Sequence, residues 1–180
     1  MAPTSRTPEL ALPVASIAAL RDSLVSSVGP EAAALALRQA GHAAGDALYR
    51  ILSGGDPQAL TSLSSERFWE QLARLFSARG WGQLTYSQVH VGVGSLETSN
   101  WAEVRPDGSA GQPSCHFTTG ILANLLGQIA NAEVAVLEAE CRSRGDQRCR
   151  FLFGGADAVY AVYERLAAGD RADAALARLG

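Results

Sequence analysis

The stretch EAECRSRGDQRCRF, Glu138 to Phe151, decides how this chain folds. Val134 to Cys141 favours a strand, and Cys149 to Phe153 is its natural partner. Arg142 to Arg148, with its Gly-Asp, is the polar connection. A hairpin read this way brings the thiols of Cys141 and Cys149 together across one loop. Working backwards, Ser114 can cap a helix from Cys115 to about Ala130, with Phe117, Ile121, Leu122, Leu125 and Ile129 on its buried side. Cys115 falls in the first turn of that helix, where the positive end of the helix dipole favours a thiolate.

Further back the sequence period changes. Leu84, Tyr86, Gln88 and His90 alternate with Thr85, Ser87, Val89 and Val91, and Gly92 and Gly94 mark a turn into a second strand reaching Val104. Before this hairpin the chain is helical. Ile17, Leu20, Leu24 and Val28 keep a helical spacing, Gly29-Pro30 starts a second helix to about Leu52, and Ser65 can cap a third that carries Phe68, Trp69, Leu72, Leu75 and Phe76. A last helix runs from about Asp157 to Ala168. Helices and hairpins are segregated, so the expected class is α+β, an antiparallel sheet packed against a bundle of helices. The expected domain spans residues 14–168, after a disordered segment 1–13 and before a helical tail 169–180.

Composition narrows the function classes. The chain has 180 residues, 47% of them hydrophobic, enough for one domain with a real core. A formal charge of -3 gives no footprint for a phosphate backbone, so nucleic acid is not an expected partner. No apolar run is long enough to span a membrane or serve as a signal peptide, and the protein reads as cytoplasmic. In that reducing setting three cysteines are free thiols or metal ligands rather than a disulfide framework. Three sulfurs converging at Cys115, Cys141 and Cys149 leave zinc one ligand short, and Glu138 and Glu140 are the near carboxylates. Simple alternation puts both glutamates on the face opposite Cys141, and a bulge near the strand end would bring Glu138 round. The same spacing also suits a small buried Cys115, an ordinary thiol pair and two solvated glutamates.

Cys115-His116-Phe117-Thr118-Thr119-Gly120, Leu126-Gly127, Glu138-Ala139-Glu140-Cys141, Gly145-Asp146 and Cys149-Arg150-Phe151 together resemble the signature half of the 4-vinyl reductase domain. Gly41-His42-Ala43-Ala44-Gly45 and Glu97-Thr98-Ser99 fit its first half more loosely, and the resemblance extends over residues 14–165. It implies a structural zinc held by Cys115, Glu138, Cys141 and Cys149, a closed shell with no open position for substrate, and Arg142, Arg144, Arg148 and Arg150 are candidate neutralisers around it. It also implies a module that binds a small apolar or aromatic molecule between the helices and the sheet. The architecture is shared with Golgi-transport adaptor subunits and is similar to nitric-oxide-sensing haem domains. Similar proteins dimerise, and Gly41 and Gly45 offer a smooth helix face for a homodimer.

The expected ligand-contacting residues are Phe68, Trp69, Tyr86, His90, Trp101, Phe117 and Ile121, all of which serve equally well as core. Aromatic-sensing transcription activators of the family hold the ligand hydroxyl with a histidine on the helix before the sheet and a tryptophan in the first hairpin. Here that helix carries Phe68 and Trp69 but no histidine, and His90 and Trp101 stand at shifted positions. No phosphate-binding G-x-x-x-x-G-K-[ST] and no dinucleotide G-x-G-x-x-G after a strand is present, so neither ATPase-driven activation nor reduction by this chain alone is expected. His116 is expected to be exposed, because neighbours on a helix point about a hundred degrees apart and cannot both reach the ion held by Cys115. No catalytic constellation emerges, and the expectation is a stand-alone, non-enzymatic sensor or carrier reporting to a protein partner. The alternatives are a protein-assembly adaptor and an accessory protein of bacteriochlorophyll synthesis.

Overall fold

The structure is a computed structural model, and it describes residues 7–105, 108 and 110–179. Gly29, with φ of 83°, separates α1 (Val14–Val28) from α2 (Pro30–Leu52), and Pro30 opens α2 where no amide hydrogen is needed. A short α3 (Pro57–Thr61) follows, its first turn capped by the Asp56 carboxylate, which accepts from the Gln58 amide. Ser64 caps α4 (Ser65–Ser77) through the Arg67 amide, one residue before the expected cap. β1 (Thr85–His90) and β2 (Val93–Thr98) form the first hairpin, α5 (His116–Ala130) crosses the core, and β3 (Ala135–Glu140) and β4 (Cys149–Gly154) form the second. α6 (Ala156–Ala167) and α7 (Ala172–Leu176) close the chain.

The strands make one antiparallel four-stranded sheet in the order β1-β2-β4-β3. Strand alternation divides its side chains between two cores. Leu96, Cys149 and Phe151 face α2, α4 and α5, whereas Val93 and Leu152 face α6 and α7, where Val162, Ala172, Ala175 and Leu176 are buried. The segment expected as a C-terminal tail therefore contributes to the second core. The expected disordered segment falls partly on residues 1–6, outside the described residues; Glu9 beyond it pairs with Arg79 at 2.5 Å.

Two expectations need correction. The second strand stops at Thr98 rather than Val104, because Asn100 folds back to accept from the Thr98 hydroxyl and the Gln83 amide, and Trp101 and Glu103 turn into the core. The glycine face of α2 is not free for a partner: a Cβ on Gly41 would stand 2.0 Å from the Phe117 carbonyl oxygen, and one on Gly45 would stand 2.7 Å from Asn124. Gly120 on α5 meets the Arg38 backbone in the same way. The glycines let α2 and α5 pack backbone to backbone inside one chain.

Candidate metal centre and aromatic cluster

The hairpin of β3 and β4 and the start of α5 converge as the loop chemistry requires. Gly145, at φ of 101°, turns the connection, and the Asp146 carboxylate accepts from the Cys141 amide at 2.8 Å and from Arg144. The pairing of β3 with β4 shifts register between Glu138 and Glu140, the irregularity that lets Glu138 join the cysteine side while Glu140 turns out to Arg148. Ligand atoms of Cys115, Glu138, Cys141 and Cys149 then lie within 4.8 Å of one another, and all four residues are buried.

This donor set fits a metal. Atoms around one zinc at about 2.3 Å stand about 3.8 Å apart in a tetrahedron, so a contraction of about 1 Å would complete the shell. Without a cation the cluster is strained electrostatically. Cys141 is held far below the ordinary thiol range by hydrogen bonds from Cys115 and then Cys149, whose own proton leaves less readily than usual, and Cys115 is pushed well up by its hydrogen bond to Cys141. Burial, then the negative charge on Cys141, raises the Glu138 carboxyl well above its usual range. One Glu138 oxygen accepts from the Cys115 amide at 2.9 Å, while Oε1 is buried with no hydrogen-bond partner. An orphaned carboxylate oxygen beside three thiols is what a bound divalent cation would satisfy.

The arginines do a different job from the one expected. Arg144 pairs with Asp146, Arg148 with Glu140 and Glu97, and Arg150 with Glu97 and Asp173, so they neutralise carboxylates and bind the sheet to α7. Arg142 reaches the cluster through its backbone amide, which donates to the Cys149 sulfur at 3.4 Å. His116 is half-buried rather than exposed, and its imidazole is lowered to about 4 by burial and then by Arg38.

Along the same helix, away from the cysteines, lies a continuous aromatic cluster. Phe68, Trp69, Tyr86 and Phe153 form one end, with Trp69 stacked on Tyr86 at 3.9 Å between centroids. Phe76, Trp81, Trp101, Phe117 and Phe151 form the other, with Trp81 stacked parallel to Phe117 at 5.8 Å. The rings expected around a ligand are thus brought together in two sets, and Ile121 is buried under them. His90 is not with them. It sits beside the β1–β2 turn with Nδ1 2.8 Å from the Val91 carbonyl, whereas Trp101 follows the far end of β2, about 17 Å of strand away.

Sequence reasoning missed the polar part of this cluster. The Trp101 indole donates to the Thr118 hydroxyl at 2.7 Å, and that hydroxyl donates to Glu103 at 2.6 Å. The Glu103 carboxylate also accepts from the Phe117 and Thr118 amides, capping α5 where Ser114 was expected to. Burial raises its pKa to about 7 against the lowering effect of these donors and of Arg21. Arg21, the buried residue of α1, donates to the Glu103 carbonyl at 2.9 Å. The one available signal was Glu103 itself, a charged residue two positions after a tryptophan.

The comparisons agree with this geometry. Residues 99–154 match the family model of the 4-vinyl reductase domain. The fold is similar to that of the phenol-responsive sensory domain of the transcription activator PoxR, solved with phenol, at 20% identity and a TM-score of 0.69, covering 83% of this chain and 77% of that one. A vinyl-4-reductase family protein from Methanocaldococcus jannaschii is 24% identical over 59% of this chain and 66% of its own, with a TM-score of 0.43. No curated protein matches. The chain carries a 4-vinyl reductase domain, and the matched segment holds all four residues of the candidate metal centre.

Proposed function

We propose that this chain is a small-molecule-binding domain, a sensor or carrier rather than an enzyme, whose α5 is fixed in place by a structural zinc clasp. Cys115, Glu138, Cys141 and Cys149 would hold the ion; four protein ligands leave no position for a substrate, and the metal would supply cross-linking of α5 to the second hairpin. The ligand-binding unit is the body from α1 to α6. Its ligand is a small aromatic molecule with one polar group.

The observation that carries the reading is the Trp101–Thr118 hydrogen bond inside an otherwise apolar set of rings. It is a polar handle buried among aromatics, the arrangement that orients a planar ligand carrying a hydroxyl. The rings fill the space between them, so a ligand would enter by displacing Trp81 and Phe117, which are half-buried, and by taking over the Trp101 donor. The PoxR sensory domain of similar fold was solved with phenol, which makes phenol the first probe. Titration with phenol should change tryptophan fluorescence and raise stability by about 2.7 kcal/mol at a hundredfold excess over the dissociation constant. Trp101→Phe should remove both responses. No response up to millimolar phenol, with no small molecule retained on purification, would favour the adaptor reading.

That second reading has its own support. α1 buries little besides Arg21, and Leu20, Val28 and Leu35 are 57%, 55% and 56% exposed. A helix this apolar and this bare suits a homodimer interface through α1 and the start of α2, in place of the glycine face. Light scattering at micromolar concentration should give twice 18.9 kDa, and a monomer mass would reject it.

A further inference from the structure

The sheet has two edges, and they are unlike. On β1 the residues Thr85, Ser87 and Gln88 are polar and exposed, and the pairing with β2 shifts register between Gln88 and His90. Polar, bulged edges resist added strands. The other edge is β3, whose first half reads Ala135-Val136-Leu137, half-buried, with its irregularity beginning only after Glu138. Among the described residues no strand pairs with its outer side.

A groove of about 870 Å³ follows this edge. Ala135, Val136 and Leu137 all line it. Successive side chains of a strand point to opposite faces, so three consecutive residues lining one groove mean that the groove meets the strand edge-on, with backbone as its floor. One wall comes from α2 and α5 with Arg38, the other from α6 with Tyr160 and Tyr163. An added strand occupies on the order of 160 Å³ per residue, from its rise, strand spacing and sheet spacing, so the groove takes about five residues.

The walls decide what fits. Helices project on both sides of the edge, so the same edge of a second copy would bring wall against wall, and a helix of about 10 Å diameter would leave the backbone floor unpaired. An extended peptide meets neither obstacle. The Arg38 guanidinium is exposed and makes no ion pair or hydrogen bond with the described residues, which favours a carboxylate opposite it. Tyr160 and Tyr163 are 60% and 52% exposed with ring centroids 6.0 Å apart, a platform for an apolar side chain.

We propose that the outer edge of β3 docks an extended acidic segment of a partner protein, added as a fifth strand along Ala135–Leu137 with a carboxylate at Arg38 and an apolar side chain on Tyr160 and Tyr163. This surface requires neither the ligand nor the metal reading.

Two synthetic pools of acetylated, amidated hexapeptides test it, each mixing Val, Thr, Tyr and Phe around one fixed residue, Glu in the first pool and Lys in the second. The Glu pool should bind at least tenfold more tightly, and should slow amide exchange at residues 135–137 in the intact protein. Arg38→Glu should reverse the preference between pools while leaving the circular dichroism spectrum unchanged. Methylation of alternate peptide amides should abolish binding, because it removes donors to the β3 backbone. Equal binding of the two pools, binding indifferent to methylation, or no binding by either pool would overturn the proposal. Concentration-dependent protection of residues 135–137 without peptide would overturn it in favour of a second copy at this edge.

Discussion

The metal centre and the aromatic cluster share one helix, yet they are opposite kinds of site. Around Cys115, before the first residue of α5, three thiols and a carboxylate crowd together with Glu138 Oε1 left without a partner. Around Phe117, two residues on, each ring contacts another ring and the Trp101 donor already has Thr118. The first site is incomplete until something is added. The second is complete and must give something up to accept a ligand. A buried unsatisfied donor set is therefore the stronger pointer to a bound species, whereas a filled aromatic core is equally consistent with packing alone.

That contrast is broken most violently at the cysteines. Cys141→Ser or Cys149→Ser should cost more than the whole stability of an ordinary domain, about 5–15 kcal/mol, since the clasp joins α5 to the second hairpin. Soluble yield and the far-ultraviolet spectrum would show it; a folded, normally melting Cys149→Ser protein would contradict the clasp. Phe76→Ala, in the fully buried heart of the aromatic cluster, should cost about 3–5 kcal/mol in denaturant unfolding but leave metal content at its wild-type value. Loss of metal in that variant would show that the two regions are one cooperative site.

Glu103 sharpens the comparison because it caps the helix that both regions use. Its folded pKa is raised from 4.5 to about 7, so the stability linked to its proton is fully present below pH 4.5 and is lost as pH rises through 7. The total is on the order of 3 kcal/mol. Glu103→Gln should remove this slope, so stability measured between pH 5 and 8 should fall with rising pH in the wild type relative to the variant. Parallel curves would show that the three donors on the carboxylate outweigh its burial.

The two regions also differ in how they could be read from the sequence. The second hairpin was legible because strand propensity, a polar loop and two cysteines pointed to the same turn; β3 and β4 lie within a residue of the expected bounds. The need for a bulge at Glu138 was legible too, as the condition for placing a fourth donor, and the register shift falls there. Long-range partnerships were not legible. The cap of α5 comes from Glu103 across an intervening loop rather than from Ser114, and Trp81, Phe151 and Phe153 join the aromatic cluster through contacts that no local period encodes. The short α3 offered too few turns for a helical pattern. The helical spacing on α1 was real, but the face it marks is largely exposed in the single chain, because periodicity reports an apolar face without saying what covers it.

The most direct test of the account is native mass spectrometry of the freshly purified, tag-free protein, read with elemental analysis. The expected result is one zinc per chain, retained under mild conditions and lost together with the folded charge-state distribution on acidification or chelation. A folded protein of 18.9 kDa carrying no metal, or one that keeps its fold after the metal is stripped, would contradict the claim that Cys115, Glu138, Cys141 and Cys149 form a structural clasp.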